Sequence, residues 1–291
     1  FAGSGALMLG ADWLRDRVDS DVRYDRAARD NRAAFAQYSW AAGAQSLAVA
    51  ARLDDNEQFG SNATGSFGWG WRFANGVQAY ASVGTAFKAP TFNELYYPGF
   101  SNANLDPERA TTREFGFKQR SAALRWSVSA YQTRVDDLIA FDVATFNPQN
   151  IAKADLQGLE GSVEWQRGPW RLEQTLAWLS AEDRGSGANR GRELPRRPAW
   201  TGRTALAWTS GEQFDLGASV QFASRRYDDL ANTRRLGGYA VLDVTGSWRL
   251  SARTELQLRL ANALDRRYET ATLYPALGRE VFLTLRHRAP R

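Results

Sequence analysis

The stretch Phe214-Asp-Leu-Gly-Ala-Ser-Val-Gln-Phe222 decides the fold class, because its residues alternate in polarity at every position. The even-numbered positions are apolar, while the odd-numbered positions are polar or glycine. A period of two is the period of a β-strand, whose successive side chains point to opposite faces of a sheet. The stretch therefore predicts a strand with one apolar face and one polar face.

The same alternation recurs in both directions along the chain. Downstream it covers 240–250 and 256–260, and upstream it covers 67–73 and 124–130. No apolar stripe with the 3.6-residue period of a helix has a comparable length. We predict an all-β fold in a single domain over residues 1–291, with about fourteen strands near residues 5–16, 31–41, 44–54, 62–73, 76–88, 110–120, 122–136, 151–166, 169–182, 197–209, 212–226, 237–250, 253–265 and 277–288.

The predicted connections alternate between short turns and long polar loops. Short turns such as Phe73-Ala-Asn-Gly76 separate the strands at one end. The long connections are 17–31, 54–62, 89–110, 136–150, 182–196, 226–236 and 265–277. This asymmetry is typical of a transmembrane antiparallel β-barrel of an outer membrane, in which tight turns face the periplasm and long loops face the outside.

Tryptophan placement favours the same architecture, since indole rings prefer the boundary between membrane and water. Seven tryptophans lie within a few residues of a predicted short turn: Trp40, Trp71, Trp126, Trp165, Trp170, Trp208 and Trp248. The alternative is a soluble β-sandwich with these rings in its core. A sandwich gives no reason for alternating short and long connections or for tryptophans gathered at one end.

Composition excludes several classes of protein. The longest apolar stretch, Gly5 to Ala11, is far shorter than the roughly 20 residues that a membrane-spanning helix needs. With no cysteine and one histidine, His287, the chain lacks the ligands for a Cys/His zinc site and the groups for most hydrolytic mechanisms. We therefore predict no enzymatic activity, no cofactor and no metal site.

Charge does not point to nucleic acid. The formal net charge is +5, from 37 basic and 32 acidic residues, and the basic residues are spread along the chain rather than clustered. No signal peptide opens the chain at Phe1, so the sequence is either a mature form or a piece of something longer.

Acidic residues are concentrated in the predicted long loops. One group lies between residues 16 and 30, a second comprises Asp54, Asp55 and Glu57, and a third is the pair Asp228 and Asp229. Calcium would accept such oxygen ligands, but the spacing follows no EF-hand pattern. Solvated loop surface is the favoured interpretation.

The loop at 89–110 is the best candidate for ligand binding. Tyr96, Tyr97, Phe100 and Asn102 combine flat aromatic area with hydrogen-bonding groups, which suits a large ligand. A rigid loop that packs on itself remains an equally good explanation of the same residues.

Several ordered blocks resemble the family of TonB-dependent outer-membrane receptors. They are Thr85-Ala-Phe-Lys-Ala-Pro-Thr-Phe-Asn-Glu-Leu-Tyr96, Asn104-Leu-Asp-Pro-Glu-Arg109, Val135-Asp-Asp-Leu-Ile139, Gly158-Leu-Glu-Gly161 and Ala261-Asn-Ala-Leu-Asp-Arg-Arg-Tyr-Glu269. The runs at 53–60 and 95–100 are most similar to the cobalamin (vitamin B12) branch. The resemblance covers essentially the whole chain.

The resemblance implies a 22-stranded barrel with an N-terminal plug and a TonB box. Fourteen strands correspond to the C-terminal part of such a barrel, without the plug, so that TonB would be contacted only through the N-terminal region that this chain lacks. The implied function is energised uptake of cobalamin across a bacterial outer membrane. A siderophore or another metal chelate is the alternative ligand, and a 14-stranded passive channel is the alternative function.

The resemblance also implies a ligand-contacting arginine, which carries over to Arg196 in Glu193-Leu-Pro-Arg-Arg197, with Arg197 as its close rival. Outer-membrane barrels usually end on an aromatic residue, and Ala289 occupies that place here. The natural status of this terminus is therefore in question.

Overall fold

The computed structural model describes residues 3–142, 145–211 and 213–288, and its strands form one antiparallel sheet of fourteen strands. The elements are β1 (Ser4–Arg17), β2 (Ala28–Ala42), β3 (Gln45–Asn56), β4 (Gly60–Arg72), β5 (Gln78–Lys88), α1 (Phe92–Tyr96), β6 (Glu108–Arg120), β7 (Leu124–Asp142), β8 (Asn147–Arg167), β9 (Trp170–Asp183), β10 (Trp200–Thr209), β11 (Phe214–Ala223), β12 (Arg226–Tyr227), β13 (Arg235–Leu236), β14 (Tyr239–Ser251), β15 (Thr254–Ala261), β16 (Glu269–Ala271), β17 (Tyr274–Pro275) and β18 (Glu280–His287). In the large sheet each strand pairs with the next in chain order, while β12–β13 and β16–β17 are separate two-stranded hairpins. The prediction of an all-β fold with about fourteen strands is confirmed.

Two of the predicted long loops are largely strand. Residues 54–62 were expected to be loop, but β3 and β4 continue to Asn56 and Gly60, which leaves residues 57–59 as the connection. Residues 136–150 were also expected to be loop, but β7 and β8 pair as far as Asp142 and Asn147. The alternation that predicts a membrane strand is missing in both extensions: residues 54–56 and 60–62 are polar or glycine, whereas Leu138 and Ala140 of β7 are buried in a hydrophobic cluster rather than facing lipid.

The apolar face of the sheet is its exposed face. Val220 lies opposite Leu242 and Ser219 opposite Asp243 in the β11–β14 register. Leu216 is 55% exposed and Leu258 is 49% exposed. In a β-sandwich these side chains would be sealed between two layers, so the sandwich alternative is wrong.

The seven tryptophans near the short turns confirm the predicted aromatic belt. By strand alternation from the exposed leucines, all seven lie on the same outward face of the sheet. Trp170 and Trp208 contact each other with ring centroids 6.4 Å apart, and Trp126 Nε1 donates a hydrogen bond to Gln119 Oε1 at 3.0 Å. An apolar ring with a paired N–H group is the arrangement that a membrane boundary favours.

The opposite face of the sheet is polar and surrounds an open space. Strands from β5 to β14 contribute to one cavity of about 790 Å³, with Tyr80 on one side and Tyr239 on the other. Cross-strand ion pairs line this face, such as Arg249 with Asp215 and Arg259 with Asp243. The sheet therefore wraps around a polar lumen, as in a membrane barrel.

The first and last strands each pair with one neighbour in the described part of the chain: β1 with β2, and β18 with β15. The outward side chains of both are apolar and exposed, as in Leu9 (70%) and Leu283 (69%). Among the described residues, no helix is long and apolar enough to cross a membrane. The question raised by Ala289 lies outside the described residues.

Candidate functional site

The long connections at one end of the sheet, called here the long-loop end, contain the candidate site residues. Asp228, in the connection between β11 and β14, is 1% exposed and links three of these loops. Its Oδ1 accepts a hydrogen bond from Arg196 Nε at 2.5 Å, and its Oδ2 accepts one from the backbone N–H of Thr272 at 3.0 Å. One buried carboxylate therefore holds the loops at 184–199, 224–238 and 262–279 together.

The same three loops share further contacts. Asn232 bonds both backbone groups of Glu193, accepting from its N–H and donating to its C=O, each at 2.8 Å. Arg226, 3% exposed, donates to Glu269 O at 2.7 Å and lies over the Tyr239 ring. The loops form an ordered rim rather than independent flexible segments.

A hydrophobic cluster supports this rim. Leu194 and Leu230, from two of the loops, pack against apolar side chains at the ends of β7, β8 and β9. The buried members are Val135, Leu138, Ala140, Ile151, Ala154, Ala181, Leu194 and Leu230. Loop residues that reach such a cluster have lost exposed apolar area, which fixes where the loops lie.

The expectation that Asp228 and Asp229 are solvated loop surface is wrong. Asp229 is 5% exposed and accepts hydrogen bonds from the backbone N–H groups of Thr233 and Arg234 at 3.0 and 2.7 Å. Its carboxylate closes the turn between β12 and β13. Within the described residues, no group of three or more Asp, Glu, His or Cys side chains is placed to hold a metal ion.

Burial opposes ionisation of Asp228, but the hydrogen bonds from Thr272 and Arg196 outweigh it, so the pKa of Asp228 lies below its ordinary value. A lowered folded-state pKa means that the carboxylate stabilises the rim fully above the unfolded pKa of about 3.9 and loses this effect as the pH falls through the folded value.

We therefore expect the rim to resist loop-specific proteolysis equally at pH 7 and pH 5, and to open only below about pH 4. The measurement is limited digestion by an acid-active protease in detergent micelles across this range. An Asp228→Asn variant should show a smaller acid-dependent change in digestion rate, because Asp229, whose pKa is also held below its ordinary value by hydrogen bonds that outweigh burial, keeps its own contribution. A wild-type transition centred near pH 6 would contradict the assignment.

Arg196 lines the luminal cavity, whereas Arg197 lies beside it. The Arg196 side chain is 45% exposed, and its backbone has a φ of 60° with its N–H bonded to Tyr227 O. Arg197 donates to Pro195 O at 3.3 Å, and burial lowers its pKa against the opposing effect of Glu108. Of the two predicted arginines, Arg196 has the side chain that a luminal ligand could reach.

The connection between β5 and β6, residues 89–107, begins with a short helix that the sequence did not predict. Thr91 and Glu94 form a capping box at its start, with Glu94 Oε2 accepting from Thr91 N–H at 2.7 Å. Arg29, 7% exposed, donates to Pro90 O at 2.7 Å and lies over the Phe92 ring. These contacts attach the loop to the barrel wall.

Tyr96 and Asn102, two of the four predicted ligand-binding residues in this loop, instead anchor the loop through hydrogen bonds to other segments. Tyr96 accepts a hydrogen bond at its hydroxyl from Gln58 Nε2 at 2.7 Å. Asn102 donates through Nδ2 to Pro148 O at 3.2 Å and accepts from Asn104 N–H at 3.0 Å. The amide of Asn102 thus connects the loop to β8.

The other two belong to a row of aromatic rings that crosses three segments. Tyr97 stacks on Phe100 with centroids 4.9 Å apart and meets Tyr24 edge-on at 6.1 Å. Phe100 meets Phe146 at 5.7 Å, and Phe146 meets Phe141 at 5.4 Å. We call these five residues the aromatic row.

The structure thus separates the predicted site residues into two surfaces. Arg196 belongs to the rim and the luminal cavity, whereas Tyr97 and Phe100 belong to the aromatic row. Phe141 faces the opposite side of its strand from Ala140, which packs with Leu194. Sequence reasoning missed Tyr24, Phe141 and Phe146, whose only signal is an aromatic side chain in or beside a predicted loop.

The comparisons with known proteins agree on one protein family. Residues 2–263 match the family model described as TonB dependent receptor-like, beta-barrel. The vitamin B12 transporter BtuB of Photobacterium profundum is 29% identical over 287 residues, covering 96% of this chain and 46% of the relative. The BtuB of Vibrio cholerae (strain M66-2) is 31% identical over 287 residues, covering 95% of this chain and 45% of the relative. The chain therefore spans about half the length of the curated relatives it matches.

Solved structures share the fold at lower identity. A ferric enterobactin receptor mutant, PfeA of Pseudomonas aeruginosa with enterobactin bound, superimposes with a TM-score of 0.79 at 18% identity, covering 99% of this chain and 52% of its own. The copper transporter OprC has a TM-score of 0.78 at 19% identity, covering 97% of this chain and 53% of its own. At these identities the likeness shows the fold alone.

Proposed function

The chain belongs to the family of TonB-dependent receptor β-barrels, and we propose that it forms the ligand-capturing barrel of a vitamin B12 transporter in the outer membrane of a Gram-negative bacterium. This is a family of receptors and transporters, not of enzymes. The observation that carries the choice of ligand is the 29–31% identity to vitamin B12 transporters over nearly all of the chain. The receptors for siderophores and copper are similar at 16–19% identity, which carries no argument for their ligands.

The contacts with ligand are assigned to the long-loop end, which would face the outside. Arg196 offers a half-exposed guanidinium at the luminal cavity, held by a buried carboxylate. Tyr97 and Phe100 offer ring surface, and Tyr96, Asn102 and Arg197 support the segments that carry these groups. The lipid bilayer surrounds the exposed apolar face. Coupling to TonB would involve parts of the intact receptor outside this chain.

Uptake tests this proposal. A strain that lacks its own vitamin B12 receptor and requires the vitamin should grow on nanomolar cyanocobalamin when it expresses the complete reading frame that contains this chain. Growth should depend on TonB, since energised transport would not proceed without it. Accumulation of ferric enterobactin, with no accumulation of cyanocobalamin, would overturn the proposal in favour of a metal-chelate receptor.

A passive 14-stranded channel predicts a different result. Such a channel would require β1 to pair with β18, whereas each of them pairs with a single strand within the described residues. We expect purified chain in planar bilayers to give no stable single-channel conductance. Reproducible open levels without any partner would favour the channel.

A further inference from the structure

We propose that the aromatic row is a contact surface for a flat, uncharged ring system fringed by amides, and that Phe146 and Phe141 are its outermost contacts. This inference deepens the proposed function and rests on it, because it names the part of the ligand that this surface takes. Neither phenylalanine was among the predicted site residues. The aromatic row is distinct from the luminal cavity that Arg196 lines.

The first argument is exposure. Phe100, Phe141 and Phe146 are 40%, 36% and 55% exposed, although the Phe146 ring contacts both of the other rings. Three exposed phenylalanines joined through Phe146 form a contiguous apolar patch, and such patches mark binding sites more often than isolated exposed residues do.

The bilayer does not account for this patch. Asp136 pairs with Arg109 where β6 begins, and Phe141 lies five residues farther along β7, or about 16 Å at the usual rise per strand residue. The exposed polar residues Arg134 and Asp136 separate the apolar belt of the barrel from the aromatic row. The patch therefore lies in water, beyond the membrane-facing belt.

The second argument is backbone conformation. Phe146 has a φ of 59°, in the left-handed region that aromatic residues rarely adopt. Its turn is braced by hydrogen bonds from Thr145 Oγ1 to Asp142 at 2.9 Å and from Gln149 Nε2 to Thr145 Oγ1 at 2.8 Å. Glycine or asparagine would occupy this position without strain. A strained position that holds an exposed ring against two others indicates a function for the ring.

The third argument is rigidity beneath the rings. Tyr24 donates its hydroxyl proton to Asn93 Oδ1 at 2.7 Å, and Asn150 Nδ2 donates to Asp106 O at 3.0 Å. Together with the bond from Asn102 to Pro148 O, these contacts attach the loop at 89–107 to β8 and to the loop at 18–27. A rigid aromatic surface loses little conformational entropy when a ligand stacks on it.

The fourth argument is charge, which selects the ligand class. The side chains that hydrogen-bond within the Phe146 turn are the carboxamides of Asn147 and Gln149, the hydroxyl of Thr145 and the carboxylate of Asp142, and the carboxamide of Asn102 joins the loop of Phe100 to β8. None of these five side chains is a cation. An anionic ferric chelate would favour cations at such a place, whereas carboxamides match the amide side chains that fringe the corrin ring of cobalamin.

The test is equilibrium binding of radiolabelled cyanocobalamin to the complete receptor in outer-membrane vesicles. Phe146→Ala is expected to weaken binding about threefold to tenfold, the usual effect of one aromatic contact. Phe146→Tyr should restore wild-type affinity, because the flat ring is retained. Phe141→Ala should weaken binding in the same direction.

Phe73→Ala is the matched control. Phe73 is also an exposed phenylalanine, 44% exposed, but it lies in the short turn between β4 and β5, at the end of the sheet opposite the aromatic row. Its replacement should leave affinity unchanged. Equal affinity of wild type, Phe146→Ala and Phe141→Ala would overturn the inference while leaving the proposed function intact. Failure of the wild-type receptor to bind cyanocobalamin would overturn both, and the two failures are distinguished by the wild-type measurement.

Discussion

Replacing Val220 or Leu242 with arginine is expected to remove most of the correctly assembled protein from the membrane. These two residues face each other across β11 and β14 on the exposed apolar face, and Val220 is 39% exposed there. An arginine at mid-depth on the lipid face of a barrel costs about 2 to 4 kcal/mol. This cost corresponds to a decrease of roughly 30-fold to 1000-fold in the equilibrium for insertion.

Ser219→Arg is the matched control, since it introduces the same charge one residue away on the opposite face. Ser219 lies opposite Asp243 on the luminal face, where an added cation meets water and a carboxylate. Heat-modifiable gel mobility of membrane fractions reports the folded fraction for all three variants of the complete receptor. The assignment of Val220 to the lipid face and Ser219 to the luminal face would be refuted if Ser219→Arg reduced the folded fraction as much as Val220→Arg did.

Replacing Asp228 with alanine is expected to loosen the rim and to abolish most high-affinity ligand binding. The substitution leaves the Thr272 N–H without its partner and frees Arg196. An unsatisfied donor costs about 1 to 3 kcal/mol when it is buried, and the part-buried Thr272 N–H places the cost at the lower end of this range. Because Arg196 is 45% exposed, its charge regains water, so loss of the ion pair adds little further cost.

Two readouts separate a local effect from a failure to fold. Heat-modifiable mobility should be unchanged, because the barrel strands do not depend on Asp228, while limited proteolysis should cut within 184–199, 224–238 or 262–279 and cyanocobalamin affinity should fall at least tenfold. Asp25→Ala is the control, since Asp25 is an exposed acidic residue of another long loop. If Asp228→Ala keeps both protease resistance and affinity, the carboxylate does not hold the rim.

The number of strands, and the side of the sheet on which each side chain lies, could be predicted from the sequence because both depend on local alternation. The even-numbered apolar positions around Val220 and Leu242 are exposed on one face, as the alternation predicts. The prediction failed beyond Asp136 in β7, where residues 138–141 are apolar without alternation and Leu138 and Ala140 are buried by distant loops, so no period of two distinguishes strand from loop. The helix over 92–96 was also missed, since five residues are too few to show a helical period.

The candidate site could be predicted only in part, for a related reason. Tyr97 and Phe100 were identified from the aromatic content of their own loop, but their neighbours Tyr24 and Phe146 come from other segments. Asp228 and Asp229 look like solvated acidic residues in the sequence, yet folding buries them.

The sequence by itself therefore determined that this chain is a sheet with one face suited to lipid, because residues two apart on a strand share a face in any structure. Only the tertiary structure decided that Asp228 holds three loops together and that five rings form one surface. The contacts that bring different segments together join residues tens of positions apart, such as Arg196 with Asp228 and Tyr24 with Tyr97, and no local period carries information about which distant side chains will meet.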